Sequence, residues 1–168
     1  MKACIIPGSF DPVTKGHTEL FKAASKLFDK VYAVILVNSE KKSGFFTPEH
    51  RLQILKAAVS MVNDECGGKI EAVLYSGLTT DCALELGASH IVKGVRNISD
   101  FSYEYDLAQI SKRFASSLET IFIPSSPSLA CVSSTYVREL IKYGKLDSPD
   151  FAKGTNELIR CLYLKKHS

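Results

Sequence analysis

The stretch IIPGSFDPVTKGH, residues 5–17, combines residue types that bind phosphate in a rigid turn. Its apolar start is interrupted by Pro-Gly, Ser9 then offers a hydroxyl group, and Gly16 removes a side chain directly before His17. An imidazole N–H can donate a hydrogen bond to a phosphate oxygen, and the free N–H groups at a helix start favour the same ligand. These residues predict a phosphate-binding turn between a first strand and a first helix, which His17 opens.

Polar segments rich in glycine or serine follow four more apolar runs of the chain. They read NSEKKSGFF, SGLTTD, GVRNISDF and SSPSLACVSST, and three of the five segments carry cations. In a parallel sheet the carboxyl ends of the strands meet at one edge, where such sheets bind ligands. The candidate phosphate-binding side chains at this edge are those of Ser9, His17, Lys41, Lys93, Arg96, Ser133 and Ser134.

Short apolar runs alternate with amphipathic segments along the whole chain, and this alternation predicts how the candidates are positioned. One helix is expected to start with Thr47 as N-cap and Pro48 at its first position, and another at Ser99 or Asp100. The expected strands are residues 2–6, 31–37, 70–75, 89–93 and 120–124. The pattern is typical of an α/β protein, a single domain over residues 1–168 with a doubly wound parallel five-stranded sheet.

The composition of the 168 residues is that of an ordinary globular protein, with 45% hydrophobic and 23% charged residues. A net charge of +3 without a basic stripe argues against binding to nucleic acid. The five cysteines are scattered, which favours reduced thiols in the cytoplasm over a disulfide framework or a zinc site. No apolar stretch approaches the roughly 20 residues that cross a bilayer, so no membrane association is expected.

Two common phosphate-binding motifs are missing, because neither a P-loop nor a G-x-G-x-x-G follows the first strand. Instead, residues 14–17 read T-K-G-H, which resembles the [H/T]-x-G-H signature of the nucleotidyltransferase superfamily. Together with KKSGFFTPEHR, KGVRNISDFSYEYDLA and VSSTYVRE, this block resembles the bacterial phosphopantetheine adenylyltransferases. The four blocks occur in the same order as in that family and span nearly the whole chain.

The resemblance implies a Rossmann-like nucleotidyltransferase fold and an enzyme that transfers the adenylyl group of ATP to 4′-phosphopantetheine. The products would be dephospho-CoA and pyrophosphate, in coenzyme A biosynthesis. It also implies Mg²⁺ as the cofactor, a homohexamer and a cytoplasmic location. Because Mg²⁺ would be held largely by phosphates and water, no protein metal ligand is expected.

The resemblance also assigns roles to individual residues of this sequence. Four are expected to be catalytic, namely Ser9, His17, Lys41 and Arg96. The expected ATP-binding residues are Ser9, Phe10, His17, Gly94, Val95, Arg96, Glu104, Leu129, Ala130, Cys131, Val132, Ser133, Ser134 and Thr135. The expected residues for 4′-phosphopantetheine are Ser9, Lys41, Leu78, Thr79 and Lys93. A positive ring around the phosphates is expected from His17, Lys41, Lys93 and Arg96.

Three positions depart from the usual family pattern. Ile6 stands where the family often has tyrosine, and Ser9 keeps the hydroxyl group of the threonine that it replaces. Lys93 stands in place of an arginine, so this position offers a phosphate a point charge without a planar fork of donors.

Other interpretations of the same residues remain open at this point. A related enzyme, such as a nicotinamide-mononucleotide adenylyltransferase, would share the signature, although Thr14 and the block around Lys93 argue against it. A non-catalytic nucleotide or CoA sensor could use the same fold. Arg96 could merely pair with Asp100 or Glu104, and the aromatic residues at 101, 103 and 105 are expected to pack against neighbours, without stacking on a ligand.

Overall fold

A computed structural model of the chain describes residues 1–37 and 44–167. Strands and helices alternate along it and are numbered here in chain order. The strands are β1 (Ala3–Gly8), β2 (Lys30–Val37), β3 (Ile70–Ser76), β4 (His90–Val95) and β5 (Glu119–Pro124). The α-helices are α1 (Lys15–Leu27), α2 (Pro48–Cys66), α3 (Thr79–Glu85), α4 (Ile98–Phe114), α5 (Ser134–Lys142) and α6 (Asn156–His167), and a 3₁₀ turn spans Pro127–Leu129.

All five strands form one parallel sheet in the order β3-β2-β1-β4-β5. The predicted α/β fold with a doubly wound, five-stranded parallel sheet is therefore confirmed. The strand order reverses at β1, because β2 lies on one side of it and β4 on the other. The carboxyl ends of β1 and β4 thus border a crevice, the place where sheets of this kind bind ligands.

Helices cover both faces of the sheet. On one face, α1, α2, α5 and α6 bury residues such as Phe21, Ile54, Val137 and Ile159 against β1 and β2. On the other face, α3 buries Cys82 against the same two strands. Consecutive residues of β1 point to alternate faces and are buried on both, as its continuous apolar sequence suggests.

Two helix starts differ from the prediction. The first helix begins at Lys15 with Thr14 as N-cap, so His17 is its third residue. The fourth helix begins at Ile98, because Asn97 is the N-cap and its side chain accepts the N–H of Asp100. Asparagine is as good an N-cap as serine or aspartate. Ile98, the first residue of the helix, is exposed and therefore does not belong to a buried apolar face that would mark the helix start in the sequence. No helix in the described ranges is both long and apolar enough to cross a membrane.

Candidate active site

A cavity of about 430 Å³ lies at the carboxyl ends of β1 and β4, where the strand order reverses. The starts of α1 and α5 and the first turns of α4 complete its wall. The sequence-predicted residues that line it are Ser9, Phe10, His17, Lys93, Gly94, Arg96, Glu104, Leu129, Val132, Ser133, Ser134 and Thr135. Val95, Ala130 and Cys131 are not among the lining residues, and Lys41 lies outside the described residues.

His17 is oriented by the residue that caps its own helix. Its Nδ1 accepts a hydrogen bond from the backbone N–H of Thr14 at 2.9 Å, and the Thr14 hydroxyl lies 3.0 Å from the same nitrogen. The bond from the Thr14 N–H to His17 is one of the two hydrogen bonds of a capping box, with histidine at the N3 position that Glu or Gln usually occupies. Because Nδ1 is an acceptor, the neutral ring carries its proton on Nε2. Within the described residues Nε2 forms no hydrogen bond, so it is available as a donor.

The environment of His17 keeps its ring uncharged. Burial, and next to it the positive charge of Arg96, lowers the pKa of His17 from 6.5 to about 4. The ring also makes an edge-to-face contact with Phe10, whose centroid lies 5.0 Å away. His17 is therefore neutral at pH 7 and offers the site a hydrogen-bond donor; the positive charge expected from the sequence is absent.

The lowered pKa of His17 predicts a pH dependence of stability. In the unfolded chain the imidazole binds a proton near pH 6.5, whereas the folded chain keeps it neutral down to about pH 4. The unfolded state therefore binds more protons in this window, and the free energy of unfolding falls as the pH drops from 6.5 towards 4. From His17 we expect a loss of about 1–2 kcal/mol between pH 7 and pH 5.

Urea unfolding of the wild type and of His17→Gln at pH 7 and pH 5 measures this effect. The variant lacks the imidazole and should lose less stability than the wild type over the same interval. An equal loss in both proteins would show that His17 is not the group responsible.

Two cations in the cavity wall each face a carboxylate. Lys93 Nζ lies 2.9 Å from Oε2 of Glu104, as an ion pair without the alignment of a hydrogen bond. Arg96 donates twice to Asp100, from Nε to Oδ2 at 2.7 Å and from Nη2 to Oδ1 at 3.2 Å. The pairing of Arg96 that the sequence left open is therefore present, yet all four side chains also border the cavity.

Arg138 of α5 is a third cation in the wall, and it was not predicted from the sequence. Its Nη1 donates to the carbonyl of Asp11 at 2.7 Å and its Nη2 to the hydroxyl of Thr135 at 2.9 Å. Both acceptors are neutral, and in the described part of the chain no carboxylate pairs with this guanidinium. A signal was available, because Arg138 follows Ser134 by four residues and so shares its helix face.

The serine hydroxyl groups at the start of α5 are used within the protein. Ser133 is the N-cap, and its Oγ accepts the N–H of Tyr136 at 3.1 Å. Ser134 Oγ donates to the carbonyl of Pro12 at 2.8 Å, which joins α5 to the turn after β1. These contacts fix the helix start beside the cavity, where its first-turn N–H groups lack intrahelical partners.

A second cavity of about 220 Å³ adjoins the first and shares Lys93 and Glu104 with it. Leu78 and Thr79, predicted to contact the pantetheine arm, line this second cavity. Half of its remaining lining residues are apolar residues of α4, such as Leu107. The shared ion pair thus separates a polar compartment from an apolar one.

Tyr103 corrects one expectation about the aromatic cluster on α4. Phe101 packs against Phe122, with 5.1 Å between centroids, as expected for a packing residue. Tyr103 instead lines the larger cavity and is 65% exposed. The helical spacing of these rings did not distinguish the one that turns towards the cavity.

Asp11 is a further residue whose contacts the sequence did not reveal. Its side chain is 7% exposed and accepts the backbone N–H groups of Phe45 at 2.6 Å and Phe46 at 2.8 Å. The turn after β1 is thereby joined to residues more than thirty positions away along the chain. A contact between residues so far apart along the chain cannot be predicted from a local sequence pattern.

Solved structures of two adenylyltransferases share this fold. The bifunctional NMN adenylyltransferase/ADP ribose pyrophosphatase from Francisella tularensis matches with a TM-score of 0.66 at 15% identity, over 99% of this chain and 53% of its own. The putative nicotinate-nucleotide adenylyltransferase from Vibrio parahaemolyticus matches with a TM-score of 0.66 at 17% identity, over 95% of this chain and 99% of its own. At such identities the likeness concerns the fold alone.

Comparisons of the sequence with known proteins identify the family of the chain. The cytidylyltransferase-like family model matches residues 5–140. A phosphopantetheine adenylyltransferase from Clostridium novyi (strain NT) is 36% identical over 144 residues, 86% of each chain. One from Caldanaerobacter subterraneus subsp. tengcongensis is 37% identical over 144 residues, again 86% of each chain. The resemblance predicted from four short blocks is thereby confirmed, and the chain belongs to the phosphopantetheine adenylyltransferases within the cytidylyltransferase-like family.

Proposed function

We propose that this chain transfers the adenylyl group of ATP to 4′-phosphopantetheine, giving dephospho-CoA and pyrophosphate. Family membership supports the reaction. The observation that carries the assignment of the site is the cavity at the carboxyl ends of β1 and β4, which among the described residues is lined by a neutral His17 and by Lys93, Arg96 and Arg138. That arrangement suits a reaction between two phosphorylated molecules.

The acceptor needs little chemical activation. Its phosphate monoester has a second pKa of about 6, so at neutral pH the attacking oxygen is already an anion. This oxygen forms a bond to the α-phosphorus of ATP, the bond from that phosphorus to the α–β bridging oxygen breaks, and pyrophosphate leaves. The obstacle is the repulsion between two anions, so catalysis consists mainly of positioning and charge stabilisation.

His17 acts in this scheme as a neutral donor to the oxygens of the α-phosphate. Charge grows on those oxygens in the transition state, and a fixed donor there lowers the barrier without having to reorganise. The Thr14 N–H fixes the ring through Nδ1, which leaves the Nε2 proton for the ligand. A neutral ring keeps its donor role unchanged across the pH range in which the acceptor phosphate ionises.

The cations reduce the repulsion between the two substrates. Arg96 and Lys93 are paired with carboxylates in the wall, so phosphate oxygens would take over some of their contacts. Arg138 carries a charge that no carboxylate offsets within the described residues, and it lines the cavity from the middle of α5. We assign ATP phosphates to Arg96 and Arg138, and the acceptor phosphate to Lys93 and Lys41.

The adjoining apolar cavity suits the arm of the acceptor. Lys93 lies between the two cavities, so it can hold a phosphate at the boundary while the pantetheine chain extends past Leu78 and Thr79. Apolar walls favour the methylene and dimethyl groups of such an arm. This direction places the thiol end of the acceptor away from ATP.

Mg²⁺ belongs to the same scheme. In the described part of the chain no three histidine, cysteine or carboxylate side chains lie together as a metal-binding group. The carboxylates at the cavity, those of Asp100 and Glu104, each face a cation. Such surroundings fit an ion that arrives with the triphosphate, because Mg²⁺ keeps several waters and takes few protein ligands. When bound, it would neutralise charge on the phosphates.

The proposal also includes the oligomeric state and the location of the protein, a homohexamer in the cytoplasm. Helix α4 has no buried residue, and its exposed apolar side chains include Ile98, Tyr105, Ile110 and Phe114. Several exposed apolar side chains on one helix support burial of this helix against further copies of the chain. The unpaired state of all five cysteines supports a reducing compartment.

A pyrophosphate-release assay tests the reaction. With ATP and Mg²⁺, we expect release only when 4′-phosphopantetheine is added, with dephospho-CoA formed in equal amount. Nicotinamide mononucleotide in its place should give no release above background. Release with the mononucleotide alone would instead favour the related enzyme, and binding of both substrates without release would favour a sensor.

A further inference from the structure

The turn between β1 and α1 contains a conformation that needs support. Phe10 is the only non-glycine residue with a positive φ among the described residues, at 43°. Such a backbone costs about 1–2 kcal/mol for an ordinary side chain. Its ring is 1% exposed and lies so close to Gly8 that a side chain there would meet it at 3.1 Å. The buried ring fixes the side chain, but the peptide planes around it need partners of their own.

Those partners are side chains from two helices that approach the turn. Arg51 Nη1 from α2 donates to the carbonyl of Ser9 at 3.2 Å. From α5, Arg138 and Ser134 hold the next carbonyls, those of Asp11 and Pro12. Ser134 and Arg138 line the cavity, whereas Arg51 does not. Arg51 therefore contacts the turn from behind, that is, from outside the cavity.

The contact from behind determines where one N–H group points. In a planar trans peptide the carbonyl and the following N–H point in opposite directions. Because Arg51 does not line the cavity, we expect the Ser9 carbonyl that it holds to point away from the cavity and the N–H of Phe10 to point towards it. In the described part of the chain this N–H has no hydrogen-bond partner, and Phe10 lines the cavity.

Arg51 is also an unusual residue to bury for packing alone. It is 9% exposed, and its Nε has no hydrogen-bond partner in the described part of the chain. Burying an ionised side chain is costly unless it is hydrogen-bonded, and in the described part of the chain the acceptor of this guanidinium is the Ser9 carbonyl. Holding this turn explains why a cation is placed here.

We propose that Arg51 is a positioning residue for ATP: it holds the Ser9 carbonyl so that the Phe10 N–H donates to a phosphate. This role rests on the proposed function of the cavity. It extends the site to a side chain that touches neither substrate.

Titration calorimetry with ATP and with adenosine, combined with kcat, tests the role of Arg51. In Arg51→Met we expect ATP affinity to fall about 10-fold or more, the equivalent of one charge-assisted hydrogen bond. Adenosine affinity should stay within twofold, since adenosine has no phosphate, and kcat should fall as well. Lys56→Met is the matched control, an exposed cation on the same helix, and should leave all three values unchanged.

The outcomes separate this role from packing and from failure of the proposed function. A folded Arg51→Met protein with wild-type ATP affinity, or with ATP and adenosine affinities reduced equally, overturns the role of Arg51. If Arg51→Met does not fold, Arg51→Lys decides, with an expected two- to fivefold loss for ATP and none for adenosine, because one ammonium orients the peptide less well; unchanged ATP affinity contradicts the role. A wild type that binds ATP no better than adenosine would contradict the proposed function itself.

Discussion

Replacing His17 with alanine is expected to lower kcat of adenylyl transfer about 10²–10³-fold in a chain that still folds. The expected size is that of one lost transition-state donor. The ring is held through Nδ1 by the Thr14 N–H, which leaves the proton of Nε2 directed to a ligand. Because its pKa is lowered to about 4, a neutral ring does this work throughout the physiological pH range.

The kinetic signature should distinguish this role from ground-state binding. A donor that acts mainly on the transition state lowers kcat and leaves the KM for ATP within a few-fold. His50→Ala is the control, a histidine on α2 away from the cavity, and should keep wild-type rates. Circular dichroism and thermal melting establish folding. A folded His17→Ala protein with kcat within threefold of the wild type would exclude the proposed role.

The fold could be predicted from the sequence because short local patterns of residues mark its strands and helix starts. Residues 31–37 are continuously apolar and β-branched, which is typical of a strand buried on both faces, and β2 occupies Lys30–Val37. The start of α2 is equally explicit, because Thr47 caps it and Pro48 is its first residue. The error at α4 arose because Asn97, Ser99 and Asp100 are equally good N-cap residues, so the sequence did not distinguish the one that caps the helix.

Many residues that line the cavity could be predicted from the sequence, whereas their electrostatics could not. The edge rule for parallel sheets brought Ser9, His17, Lys93 and Arg96 to one cavity. It could not show that His17 is neutral, because that depends on burial and on the distance to Arg96. Contacts between segments distant in sequence could not be predicted for the same reason. The hydrogen bond from Arg138 to the carbonyl of Asp11 depends on the tertiary structure.

The largest loss of stability is expected from Asp11→Ala. The carboxylate accepts two backbone N–H groups, those of Phe45 and Phe46, and Phe46 is 1% exposed. Gly44 permits this approach, since a side chain there would lie 2.7 Å from Asp11 Oδ2. Removal of the carboxylate takes away the acceptor of two charge-assisted hydrogen bonds, which costs about 3 kcal/mol. For a chain of this size we expect a fall in Tm of about 6–12 °C.

Two further variants establish that the loss comes from these hydrogen bonds. Asp29→Ala removes an exposed carboxylate that accepts a single backbone N–H, that of Lys2 at 2.7 Å. Water can replace that partner, so its unfolding free energy should change by less than about 1 kcal/mol. Asp11→Asn keeps one acceptor oxygen and sets an amide donor against the second N–H, so it should recover only part of the loss. Urea unfolding of the three variants measures these differences, and an Asp11→Ala protein as stable as Asp29→Ala would mean that the turn after β1 does not depend on this carboxylate.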